Sequence, residues 1–233
     1  IMMSSTYRQS SNHPNAQLAK LDPENQWLAR FPSYRLSAEM LRDSSLAISG
    51  RLVSKLGGPP VKPYEVEASF KPTTRDKGDG LYRRSLYTYW KRTGPAPVMM
   101  ALDAAKRDVC RVQRERTASP LQAFVLLNGP QFVEASRGLA EQLVVQHGQN
   151  SEQIVADAFR RLTSRRASKK ELAVLNQLYD NQLQYFRDHN DDAQAFLKVG
   201  DAIANDKCDP AELAATTVVV STLLNYDESV MKR

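Results

Sequence analysis

Two carboxylates, Asp103 and Asp108, stand inside a run of cations. A pair of acids can divide general acid and general base work when their surroundings hold them in different protonation states. The cations begin earlier in the chain. The stretch "LYRRSLYTYWKRT", residues 81–93, sets Tyr82, Tyr87, Tyr89 and Trp90 among Arg83, Arg84, Lys91 and Arg92, and Lys106, Arg107, Arg111, Arg114 and Arg116 follow. Guanidinium forks beside aromatic faces suit an anionic or carbohydrate ligand. The set whose residue types can hold such a ligand, or a partner surface, is Arg83, Arg84, Tyr87, Trp90, Lys91, Arg92, Asp103, Arg107, Asp108, Arg111, Arg114 and Arg116. A plainer role stands beside it: Asp103 and Asp108 pair with Arg107, Arg111 or Arg114 and fix a loop, while Tyr87 and Trp90 turn into the core.

Charge points to the same place. Residues 81–116 carry nine cations and three acids, whereas the rest of the chain balances at 23 of each, so the whole net charge of +6 resides in this segment. Mixed aromatic and basic residues also serve nucleic-acid binding, but no RNP, zinc-finger or helix-turn-helix pattern accompanies them and the Arg pairs flank a β-rich stretch, so nucleic acid is not the expected partner. Other chemistries lack their residues. Histidine occurs only at positions 13, 147 and 189, without metal-ligand spacing, and the glycine-framed nucleophile and phosphate-loop motifs are absent. "DKGDG" (76–80) lacks the alternating acids and closing Glu of a calcium loop and reads as a turn. Cys110 and Cys208 form no C-x-x-C pair, which removes zinc-ribbon and haem-attachment readings within this segment and leaves two separate buried thiols as the expectation, with a disulfide as the alternative. No metal site and no membrane span are expected.

The elements that must position these residues are mostly helical. Asp22-Pro23 has the form of a helix start, and Ser37 can cap a second helix running through Met40, Leu41, Ala47, Ile48 and Leu52. From "GGPPVKP" (57–63) to about residue 80 the chain reads as an irregular, proline-rich excursion, followed by a short strand or hairpin near 82–90. Beyond residue 119 helix starts recur: Ser119-Pro120, Gly129-Pro130, Ser168 with Glu171, and Asp209-Pro210. About five helices follow from them, and the β-branched "TTVVVSTLLN" reads as a buried helix because its apolar positions are nearly continuous. The fold class is therefore mainly α, an antiparallel helical assembly. Residues 1–233 are read as one domain, with 1–118 holding helices plus the irregular basic region and 119–233 the helical half.

Several long motifs carry a resemblance: "YRLSAEMLRDSSLAISGRLVSKLGGPPVKPY", "LYRRSLYTYWKRT", "DAAKRDVCRVQRERTASPLQAFVLLNGPQFVEASRGLAEQ" and the terminal "LLNYDESV". Together they resemble domain-of-unknown-function family 1553, the C-terminal module of planctomycete-type multidomain proteins. Ala105, Lys106 and Thr216 depart from that family's usual residues. The opening "SSTYRQSS" resembles an internal family segment, so the chain reads as a fragment truncated at its N-terminus. The resemblance implies a periplasmic or secreted setting and an upstream cytochrome c domain, with haem c there and no cofactor in this segment. It supplies no catalytic residues. The leading expectation is an accessory or interaction module whose partners are the upstream domains of the same polypeptide; the alternative is an enzyme domain acting on a polysaccharide or other polymer.

Overall fold

The computed structural model describes residues 1–11, 16–64, 74–91, 93–148 and 150–232. Its described residues are mainly helical: α1 (Ala16–Leu21), α2 (Ala38–Ile48), α3 (Pro97–Ala101), α4 (Pro120–Asn128), α5 (Pro130–His147), α6 (Ser151–Thr163), α7 (Lys169–Asp188), α8 (Asn190–Leu197), α9 (Pro210–Leu224) and α10 (Asp227–Val230). Two short strands, β1 (Tyr34–Arg35) and β2 (Met231–Lys232), pair antiparallel, with Tyr34 opposite Lys232.

Local capping explains the helix starts. The Ser37 hydroxyl accepts from the Met40 N–H at 3.3 Å, Ser119 from Gln122 at 3.4 Å, and Asp209 from Glu212 at 2.9 Å. Ser168 and Glu171 form a reciprocal box, in which Glu171 also accepts from the Ser168 N–H at 2.7 Å. Gly129 both ends α4 and starts α5; a Cβ there would lie 2.6 Å from the Val125 carbonyl oxygen, so only glycine lets the two helices join so tightly.

Helix α9 lies at the centre of the helical half. It packs against α5 and α7, and further against α6, α8 and α4. Leu213, Val219, Val220 and Leu223 are wholly buried on it, each side chain contributing about 1.5–3 kcal/mol of apolar transfer. Its threonines do not break the helix, because Thr216 and Thr217 donate their hydroxyls back to the carbonyls of Glu212 and Leu213 at 2.8 and 2.7 Å. A smaller apolar cluster joins α2, α3, α4, the start of α5 and Val230 through Leu41, Met99, Leu102, Leu126 and Phe132.

Three expectations are corrected. Asp22-Pro23 starts no helix; the Asp22 carboxylate accepts from the N–H groups of Gln26 and Trp27, both at 2.8 Å, and closes a turn. No strand pair or hairpin forms at 82–90. Residues Ser85–Tyr87 make a 3₁₀ turn, and only single parallel bridges, Val53 with Arg83 and Val61 with Thr88, join this stretch to the preceding chain. The chain facing it contains Pro59, Pro60 and Pro63, which carry no N–H to continue a ladder. The two cysteines are free as expected, but Cys110 is exposed and only Cys208 is buried. His147 and His189 stand at helix ends, whereas His13 and the middle of the excursion, residues 65–73, lie outside the described residues. "DKGDG" is a turn leading into a 3₁₀ segment, with Asp76 accepting from the Lys62 N–H at 2.7 Å. Among the described residues no group of His, Cys, Asp or Glu could hold a metal ion, and no helix is long and apolar enough to cross a membrane.

Candidate functional site

The basic segment divides into an inner and an outer set. Arg83 belongs to the inner set: it is 5% exposed, and its guanidinium donates to the carbonyls of Lys55, Gly57 and Pro59. It also lies 3.9 Å over the Tyr87 ring, whose hydroxyl accepts from the Gly57 N–H at 2.8 Å. Arg83 and Tyr87 thus shape the 55–59 turn, and neither presents a free face to a ligand. A second inner arginine organises the first. Arg42, on the core-facing side of α2, donates to the carbonyls of Leu81 (2.6 Å) and Arg83 (2.8 Å) and to Ser85 Oγ (3.2 Å) and Gln131 Oε1 (3.0 Å). Its neighbour Asp43 accepts from both the N–H and the hydroxyl of Ser85, at 2.8 and 2.6 Å. Side chains from one helix therefore replace the missing sheet ladder of residues 81–85.

A parallel arrangement fixes the link between α8 and α9. Arg137, 1% exposed on α5, donates to the carbonyls of Leu197, Val199 and Ala202. Beside it, Glu134 accepts from the Tyr82 hydroxyl and the Asp201 N–H, both at 2.6 Å. Burial, then the bond to Glu134, pushes the Tyr82 phenol well above its ordinary pKa. Gly200 (φ +98°) runs against this carboxylate, and a Cβ would meet Glu134 Oε2 at 2.1 Å. The void here is about 10 Å³, too small for a substrate, so the Tyr82–Glu134 pair serves to hold the 3₁₀ segment Gly78–Tyr82 to the helical half.

The outer set lies on residues 103–118, which form no helix or strand and are mostly exposed. Asp103 anchors this loop. Its Oδ2 accepts from the Thr117 N–H and hydroxyl, both at 2.7 Å, and from Gln122 Nε2 at 2.9 Å. Asp103 therefore fixes a loop, but through Thr117 and Gln122 rather than through Arg107, Arg111 or Arg114. Partial burial works against the carboxylate, yet these hydrogen bonds and the nearby Arg35 charge hold its pKa below the ordinary value. Because the folded pKa is depressed, the clasp contributes fully above the unfolded value of about 3.9 and is lost as pH falls below it. Cleavage of the 104–116 loop by pepsin should rise steeply below about pH 4 in the wild type. In Asp103→Asn the wild-type rise should flatten; an identical profile in both proteins would contradict the clasp.

Outward from the clasp, Trp90 Nε1 donates to the Lys106 carbonyl at 2.7 Å and the Arg107 guanidinium stacks 4.9 Å from the indole. Trp90 packs against the smaller apolar cluster, so its inward face is core and its edge supports the loop. Arg111 pairs with Glu115 at 2.7 Å, Arg114 with Glu39 at 3.2 Å, and Arg116 lies 4.4 Å over the Tyr34 ring. Exposed pairs of this kind are each worth about 0–1 kcal/mol and exchange readily for another anion. Arg84 and Asp108 are exposed, Lys91 is half-buried, and Arg92 lies outside the described residues. Apolar side chains are exposed here too: Val109 and Val112 stand out of the loop, and the following helix, α4, turns Leu121, Phe124 and Leu127 to solvent.

Sequence reasoning missed Arg42, Glu134 and Arg137. A signal was present in the helical phase. Ala38, Leu41, Arg42 and Ser45 lie on one face of α2, and Val133, Arg137, Ala140 and Val144 on one face of α5. An arginine inside an apolar stripe marks a buried guanidinium with distant acceptors.

A family model described as a protein of unknown function, DUF1553, matches residues 1–179. The match spans the excursion, the basic loop and α1 to α6, and ends within α7, so the terminal "LLNYDESV" lies beyond it. No curated protein and no solved structure matches the chain. With most of its length matched, including every residue of the basic segment, the chain belongs to the PSD1 (DUF1553) family of proteins of unknown function.

Proposed function

We propose that the chain is an accessory interaction module of a longer, extracytoplasmic protein that carries a cytochrome c domain upstream, and that residues 103–118 with the outer face of α4 form its contact surface. The setting and the haem partner rest on the family resemblance. The surface rests on one observation: a clasped, irregular loop exposes arginines together with Val109 and Val112, and α4, which directly follows it in the chain, turns an apolar row outward. Val112 is 109% exposed and Phe124 63%, and the loop also exposes Arg107, Arg111 and Arg114. Apolar anchors within a cationic rim complement an acidic surface with an apolar centre.

Titration calorimetry of the chain against the haem domain encoded upstream tests this reading. Arg111→Glu combined with Phe124→Asp should weaken binding about tenfold or more, with the melting temperature unchanged because both side chains are exposed. Equal affinity of variant and wild type would sink the assignment of the surface. The enzyme reading has no comparable support. Asp103 is committed to three donors and kept ionised, which disqualifies it as a general acid, and Asp108 is an exposed loop residue.

A further inference from the structure

The basic loop is also the freest backbone in the described chain. Residues 106–118 are thirteen consecutive exposed positions, and among the described residues no N–H from 105 to 116 donates to a backbone carbonyl. An endoprotease must draw its substrate out as an extended segment, so it cuts where the backbone is free to leave and spares residues held in helices. The Asp103 clasp pins the two ends of the loop and leaves its middle free.

Lys106, Arg107, Arg111, Arg114 and Arg116 are side chains of the kind that enter the acidic specificity pocket of a trypsin-like protease. They differ in what surrounds the bond to be cut. The Lys106 carbonyl is held by Trp90, Arg107 and Arg114 are followed by the carboxylates Asp108 and Glu115, and Thr117 after Arg116 is fixed by the clasp. Arg111 is followed by Val112, which is uncharged and wholly exposed. Its side chain is tied only by the exposed pair with Glu115, which exchanges readily.

The ties between the two sides of that bond lie elsewhere in the fold. Helix α2 packs on α5, Arg42 donates to Gln131 Oε1 at 3.0 Å, Tyr82 to Glu134 at 2.6 Å, and Gln142 Nε2 to the Ser49 carbonyl at 2.8 Å. Arg75 pairs with Asp201 at 2.8 Å, β1 pairs with β2, and the clasp itself joins residue 103 to 117 and 122. A chain cut at Arg111 therefore stays one folded particle of two pieces.

We propose that Arg111–Val112 is a processing site, at which a trypsin-like endoprotease converts the chain into a noncovalent two-chain form, and that the cut switches off the contact surface. The switch rests on the contact-surface reading above. Hydrolysis breaks the C–N bond between the two residues: the water oxygen goes to Arg111, which becomes a carboxylate, and both water protons end on the Val112 nitrogen as an ammonium. Two new charges then stand beside an apolar anchor, and two loose arms must be ordered again on binding. A partner seated on the loop blocks the protease in return, so the unoccupied module is the one that is cut.

A trace of trypsin, followed by intact mass spectrometry, should first yield residues 1–111 together with 112–233. The pieces should elute together in size exclusion, with the helical circular dichroism of the uncut chain. Arg111→Gln should slow the appearance of that pair about tenfold or more. A first cut at another bond overturns the processing site, as do pieces that separate or unfold. Calorimetry against the haem domain encoded upstream should show the nicked form binding about tenfold or more weaker than the intact chain. Equal affinity overturns the switch. If the intact chain does not bind that domain, the contact surface falls and the switch with it, whereas the cut and its two-chain product are decided by the mass spectra with no partner present.

Discussion

Replacing Arg137 by Met is expected to cost about 3–5 kcal/mol of stability, the range for deleting one side of a buried charged network. The side chain is 1% exposed, so water cannot take over its role. Its removal strands the carbonyls of Leu197, Val199 and Ala202, and it takes the positive charge away from Glu141, 3.5 Å distant. The carboxylate of Glu134, 4% exposed, would then depend on Arg51 alone at 4.0 Å for a counter-charge. In a chain of this length the loss corresponds to a fall in melting temperature on the order of 10 °C. Arg137→Lys should recover little, since a compact ammonium cannot reproduce a planar fork reaching three carbonyls. Urea unfolding of the two variants provides the measurement, and a loss below about 1 kcal/mol for Arg137→Met would contradict the network.

The second large effect belongs to Arg42, and it should be local. Arg42→Met removes the donors to Leu81, Arg83, Ser85 and Gln131, at an expected cost of about 3 kcal/mol or more. Those bonds hold the 81–88 stretch, whose own carbonyls accept from the N–H groups of Val53 and Val61. Hydrogen exchange should therefore show Val53, Val61 and Tyr89 losing protection, while amides within α5 and α9 keep theirs. Uniform loss across the chain would mean that the basic region and the helical half open as one unit. Because Arg83 is placed by the same contacts, the 55–59 turn should loosen with it.

The two arginines also show where sequence reading reached its limit. Runs such as "RDSSLAIS" and "VEASRGLAEQ" look amphipathic, and an arginine in them reads as the solvent face. Its position in the apolar stripe was visible, but its acceptors were not. They are bare backbone carbonyls in loops, and a carbonyl leaves no mark in a sequence because every residue carries one. The same gap explains the strand expected near 82–90. "SLYTYW" has β-forming residues, yet a strand needs a neighbour with free N–H groups, and the prolines opposite provide none in series. Asp103 was correctly placed at a loop anchor but with the wrong partners, since proximity in sequence favours the arginines while the fold delivers Thr117 and Gln122.

The helix starts from residue 119 onward were legible in the residues alone, since each cap depends on groups within one turn of one another, and the nearly continuous apolar run of α9 and the recurring caps carried its buried course and the mainly helical class. A serine or aspartate oxygen needs only the N–H three residues ahead, as Ser168 and Asp209 show. Which arginines are spent inside the protein was decided by tertiary structure. Arg42 finds its carbonyls 39 and 41 residues away and Arg137 finds its own at separations of 60, 62 and 65. Burial at those distances turned some of the cations into internal ties, and left the clasped loop with Arg107, Arg111, Arg114 and Arg116 as the part that faces outward.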